Sequence, residues 1–143
     1  MIREGFFSIV LFSFLRDAYL ADRIPAYDRL RFVFDIAATL DRRYACEDAL
    51  EQALAKLPCS RDYAVRLFRQ RFGMAPSEYL IRCRMNAARD FLLSGMAVKE
   101  TALRVGIHDE LYFSRLFARR EGLSPLKFRL SHRQHDSKGD PFA

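Results

Sequence analysis

Residues 63–79, YAVRLFRQRFGMAPSEY, return 49 positions later as residues 112–128, YFSRLFARREGLSPLKF. The shared frame is Tyr-x-x-Arg-Leu-Phe-x-x-Arg-x-Gly-x-x-Pro-x-x-aromatic. Tyr63 falls on Tyr112, Arg66 on Arg115, Leu67-Phe68 on Leu116-Phe117 and Arg71 on Arg120. Gly73, Pro76 and Tyr79 fall on Gly122, Pro125 and Phe128. Repetition at a fixed offset means that one structural unit is used twice. Each copy follows a short helical stretch and a tight turn: residues 47–56 then Leu57-Pro58-Cys59, and residues 98–105 then Gly106-Ile107-His108. Short helix, turn and basic helix make a helix-turn-helix, whose second helix enters a DNA major groove.

The side-chain pattern of each basic helix supports that assignment. On the first, Ala64, Leu67, Phe68 and Phe72 are expected to pack inward, with Tyr63, Arg66 and Arg69 turned elsewhere and Asp62 and Val65 near them. On the second, Phe113, Leu116 and Phe117 pack inward and leave Glu110, Leu111, Ser114, Arg115 and Arg119 outward. An outward arginine is suited to bidentate bonding to guanine O6 and N7. The same Leu-Phe pair and arginines would also serve an ordinary core with a solubilising surface, but two copies with matching arginines argue against that plainer account.

Working outward, the whole chain reads as helix, because no segment alternates apolar and β-branched residues with polar ones. Residues 2–21 are apolar around most of a helical circumference, with Phe7, Leu11, Phe14, Leu15 and Ala18 on one stripe. Pro25 interrupts, and a second helix covers about 27–43. A third covers about 47–56 and stops near Pro58, which restricts the residue before it. Ser60 is an expected N-cap for the first basic helix, which ends at Gly73. Pro76 opens a long helix to about Ser94, another runs from about Val98 to Val105, and the second basic helix lies between Asp109 and Gly122. Pro125 opens the last helix, which fades after Arg133 into a polar tail, residues 134–143.

With 143 residues, half of them apolar, the chain can bury a core. Its net charge of +6 is concentrated: residues 1–59 carry −1, residues 60–133 carry +8 and residues 134–143 carry −1. A basic block between near-neutral flanks is the footprint of a polyanion-binding surface. The longest apolar run, Phe6 to Leu15, is too short to span a membrane. It matches a signal-peptide core in length only, since Arg16 and Asp17 follow it without a small-residue cleavage site. Cys46, Cys59 and Cys83 are odd in number and widely spaced, which fits reduced thiols and a cytoplasmic setting. No glycine pattern for a nucleotide and no Cys/His quartet for zinc occurs, and His132 and His135 stand in the polar end of the chain. No nucleophile is grouped with a base, so no enzyme, metal or cofactor is expected.

At these residues the chain resembles the AraC/XylS family of bacterial transcription regulators, over about Leu40 to Arg129. The most specific stretches are Arg66 to Gly73, Arg84 to Leu93, and Ala102 to Arg129, where Ala-x-x-Val-Gly leads to Tyr-Phe-Ser-Arg-x-Phe and Gly-Leu-Ser-Pro. The resemblance implies an all-α fold of two helix-turn-helix subdomains joined by a long central helix, here with an N-terminal helical extension. The implied organisation is an apolar helix over 1–25, a DNA-binding domain over 26–133 and a flexible tail over 134–143. Within that domain the first helix-turn-helix covers about 46–73, the linking helix about 76–94 and the second helix-turn-helix about 98–122. It further implies two recognition helices meeting successive major-groove segments of double-stranded DNA about 34 Å apart.

Carried over by position, the base-reading residues are Asp62, Tyr63, Val65 and Arg66 on the first helix and Glu110, Leu111, Ser114 and Arg115 on the second. Candidate phosphate contacts are Ser60, Arg69, Asp109 and Arg119. Ala102, Val105, Gly106, Phe113 and Phe117 fall on core positions. The chain departs from the family at Ala53-Leu54, Pro58, Thr101, Ile107 and Glu121, and in its acidic residues Asp62 and Glu110, which could accept from cytosine N4 or repel phosphate. The rival function is an interaction module that binds a partner regulator or RNA polymerase, with weak or non-specific DNA binding. Residues 2–21 are expected either to pack on the chain's own core or to pair with a second copy.

Overall fold

The computed structural model describes residues 25–136 together with Leu15. The helix read at 1–25 and the end of the tail therefore lie outside the described residues. Within them the chain is helical, in seven elements: α1 (Ala26–Arg43), α2 (Ala49–Ala53), α3 (Arg61–Phe72), α4 (Pro76–Leu93), α5 (Val98–Arg104), α6 (Glu110–Glu121) and α7 (Pro125–Asp136). The all-α class and the two repeated units on a long central helix are as the sequence leads one to expect.

Two cores hold the molecule, and α4 serves both. Phe32, Val33, Ile36, Ala37 and Leu40 recur on one face of α1 and close over Ala49 and Ala53 of α2, Ala64 and Phe68 of α3, and Tyr79 and Leu80 of α4. Further along α4, Met85, Ala88 and Leu92 join Ala102, Val105, Ile107, Phe113, Phe117 and Phe128 in the second core. Tyr44 packs against both. The α4 helix is built to be continuous. Pro76 opens it, the Glu78 carboxylate accepts from the Ala75 N–H at 3.0 Å, and no glycine interrupts it before Gly95.

The ends of the shorter elements differ from the sequence reading. The α2 helix holds five residues rather than the 47–56 expected. Leu54 N–H still reaches Leu50 O at 3.0 Å, but Ala55 N–H bonds to Gln52 O at 3.3 Å, a tighter turn. Lys56 then takes φ 55°, so the chain has left the helix before Pro58 is reached. The α7 helix continues to Asp136, beyond the fading point expected at Arg133.

Two of the family departures are absorbed by packing. Thr101 is fully buried, and its hydroxyl donates to Ala97 O at 2.9 Å, so the polar atom is satisfied within its own helix. Glu121 keeps 15% of its side chain exposed and pairs with Arg89 of α4 at 3.5 Å.

The units are joined at the loop after α1. Arg84, on the central helix, donates from Nε to Tyr44 O at 2.8 Å and from Nη2 to Cys46 O at 2.9 Å. Gly106, in the turn of the second unit, lies against the Ala45 backbone. His108 Nε2 stands 4.0 Å from Glu47 Oε2 on the same loop, both side chains largely exposed. Burial pushes the Arg84 guanidinium below its ordinary value.

Candidate nucleic-acid interface

Both basic helices begin and end alike. Ser60 Oγ accepts from Tyr63 N–H at 3.2 Å, and Asp109 Oδ1 accepts from Tyr112 N–H at 3.0 Å, each satisfying a donor with no partner inside the helix. Gly73 and Gly122 close α3 and α6 in the left-handed conformation, at φ 73° and 75°. Each helix therefore has the same length, twelve residues, and presents equivalent faces.

On α6, Phe113 and Phe117 are fully buried. Opposite them, at intervals of four, stand Leu111, Arg115 and Arg119, all exposed. The matching stripe on α3 is Asp62, Arg66 and Gln70, opposite buried Ala64 and Phe68, and it too is exposed. These two stripes are equivalent exposed surfaces on the two repeated helices. Gln70 does not emerge from the motif, because the repeat aligns on its identities and Gln70 faces the dissimilar Arg119. The four-residue spacing from Arg66 is the signal that finds it.

The remaining candidates fall on the flanks. Val65 and Ser114 occupy equivalent positions and are both half-buried. Glu110 is exposed but sits on the side of the helix toward Phe113 and Phe117, and its equivalent, Arg61, turns back to pair with Glu51 of α2 at 3.1 Å. Arg69 is exposed on the flank of its stripe.

Tyr63, expected to turn away from the core, is instead buried. It is only 7% exposed, with the Arg66 guanidinium 5.7 Å from its ring centroid, so the ring lies beneath the stripe and not on it. Its repeat partner Tyr112 is 49% exposed. The units are thus unequal here: the first carries an acidic residue and a covered tyrosine, the second a leucine and an open one.

Behind the interface, Tyr79 donates to both carboxylate oxygens of Asp41 at 3.2 Å, and Cys83 Sγ donates to Asp41 Oδ1 at 3.2 Å. Arg82 lies over the Tyr79 ring at 4.6 Å. Burial, with the Asp41 charge adding to it, raises the Tyr79 phenol above its ordinary value and pushes the Cys83 thiol up to about 12. These groups sit between α1 and α4 and stay protonated at neutral pH, a structural role.

Among the described residues no group of three or more His, Cys, Asp or Glu could hold a metal ion, and no helix is long and apolar enough to cross a membrane.

Comparison with known proteins agrees with this geometry. Residues 54–131 match a family model described as a helix-turn-helix domain. Over 134 residues the chain is 28% identical to the HTH-type transcriptional activator RhaR of Salmonella heidelberg, strain SL476, and equally to that of Salmonella typhi. The match covers 93% of this chain and 48% of either relative, so the chain spans about half the length of the curated relatives it matches. It is similar to the C-terminal domain of AraT, a response regulator from Geobacillus stearothermophilus, with a TM-score of 0.66 and 28% identity over 76% of this chain and 88% of that one. A DNA-binding transcriptional dual regulator from Escherichia coli K-12 shares the fold, with a TM-score of 0.63 and 22% identity over 72% of this chain and 93% of that one.

Proposed function

The chain belongs to the AraC/XylS family of bacterial transcription regulators, and on that premise we propose that it binds double-stranded DNA sequence-specifically, with α3 and α6 in successive major-groove segments. One observation carries this reading: equivalent exposed stripes, Asp62/Arg66/Gln70 and Leu111/Arg115/Arg119, stand on two equivalent helices fixed to one continuous helix. Arg66 and Arg115, at the centres of the stripes, are the guanine readers. Asp62 and Leu111 read beside them, and Val65, Ser114 and Glu110 flank the groove.

Phosphate contacts fall to Arg69, Arg119 and the N-terminus of α3 at Ser60. Asp109 is the weakest of the four phosphate candidates. Its carboxylate already caps α6 and places a negative charge where a phosphate would approach. The setting is the cytoplasm. RNA polymerase is the machinery whose activity the bound protein would alter, as the word activator in the relatives' name supports.

The test is selection from random DNA duplexes across a salt series, followed by sequencing of the bound fraction. A motif spanning two groove segments is the expected result. Salt-sensitive binding without a motif would reduce the interface to its electrostatic part and sink the sequence-reading claim.

A further inference from the structure

We propose that Leu111 makes the second unit selective for a thymine, through contact with the C5 methyl group in the major groove. The inference rests on the DNA-reading role argued above and names the base that one position recognises. Leu111 is 70% exposed, yet it stands on the groove-facing stripe of α6 one turn before Arg115. The stripe is otherwise cationic. Its branched apolar end can make no hydrogen bond to a base edge, so it cannot discriminate by donor and acceptor pattern.

The major-groove edge of thymine is the one natural edge that presents a methyl group. A leucine pressed against it buries apolar surface on both sides. Against the cytosine N4 amine or the adenine N6 amine, the same side chain would strip a donor of water and return no acceptor. The equivalent residue of the first unit, Asp62, has the opposite chemistry and accepts hydrogen bonds. The two units therefore do not read the same base at this step, and a site recognised by the whole chain is not a direct repeat there. Tyr112, 49% exposed beside Leu111, adds an aromatic edge to the same end of the helix.

Removal of the methyl group alone tests the idea, because deoxyuridine pairs with adenine as thymine does. The full chain would first be used to select a motif from random duplexes containing thymine. The selected duplex would then be remade with deoxyuridine at each thymine in turn. One substitution in the segment read by α6 is expected to weaken binding about fourfold, the loss of one buried methyl. The Leu111→Ala chain, altered at an exposed position that the fold does not need, should bind the two duplexes alike and lose thymine at that position in its own selection. A selected motif whose binding no deoxyuridine weakens would overturn the thymine assignment and leave the DNA-reading role standing. The thymine assignment falls in the same way if Leu111→Ala retains the full methyl preference. Absence of any motif from the unaltered chain would overturn both claims together.

Discussion

Gly106 leaves no room for a side chain against Ala45: a Cβ built on it would lie 2.5 Å from Ala45 O and 2.9 Å from Ala45 C. The glycine also adopts φ 79°, which L residues reach only with strain. Backbone thus meets backbone where the second unit's turn rests on the loop before the first unit. Gly106→Ala is expected to destabilise the chain by about 2–4 kcal/mol, combining left-handed strain with a clash that rigid carbonyl atoms cannot relieve. Gly122→Ala is the control. Gly122 has φ 75° but nothing within 4 Å of the added carbon, so a loss of about 1–2 kcal/mol is expected. Urea denaturation of both variants measures the difference, and equal losses would show that the Ala45 contact is soft.

Arg84→Met removes both hydrogen bonds to Tyr44 O and Cys46 O while keeping much of the side chain's length. A stability loss of about 2–3 kcal/mol is expected, since two carbonyls lose a charged donor in a half-buried setting. The DNA consequence should exceed the stability consequence. With the loop untied, affinity for a duplex carrying both segments should fall toward that for a duplex carrying one. Titration of the two duplexes checks this, and a uniform fall on both would place the effect on folding alone.

Arg115 and Arg119 lie on one stripe but should fail differently. Arg115→Ala should cost about 1–3 kcal/mol on the selected duplex and relax the base preference at one position. Arg119→Ala should weaken all sequences alike and reduce the slope of log affinity against log salt by about one. Binding isotherms at several salt concentrations separate the two outcomes.

The Cys83 thiol makes a prediction about alkaline pH. Its ordinary value is 9.0, and in the fold burial and the Asp41 carboxylate push it up to about 12. Above pH 9 the unfolded chain releases this proton while the folded chain retains it. Stability is therefore complete below about pH 9 and falls as pH rises toward 12. Tyr79, raised from 10.0, acts in the same direction. Urea midpoints measured between pH 8 and 11 should decline, and the decline should be shallower in Cys83→Ala.

The sequence exposes what repeats and what is periodic. The 49-residue offset locates α3 and α6, and the spacing of Phe113 and Phe117 orients α6 correctly because a helix turns at a constant angle per residue. Tyr63 escapes the same reasoning. Its repeat partner Tyr112 is open, and no local pattern announces that Arg66 lies over one ring. The joint between the units is equally silent. Arg84 lies 40 positions from Tyr44 and 38 from Cys46, and it bonds to carbonyl oxygens that every residue possesses, so no residue type marks the partner. Asp41 likewise reads as a solvated helix charge until α4 brings Tyr79 and Cys83 against it.

The α4 helix runs unbroken for 18 residues, about 27 Å, and roots one core at each end. It therefore behaves as a gauge with an angular setting as well as a length. One residue inserted near its middle would advance the second unit by only about 1.5 Å but swing it by about 100°. On the DNA-reading proposal, such a swing would carry Arg115 off the face of the duplex that Arg66 meets. On the same proposal, a new operator spacing would be met by whole turns of α4 or by changes in the DNA, because one continuous helix joins the two units.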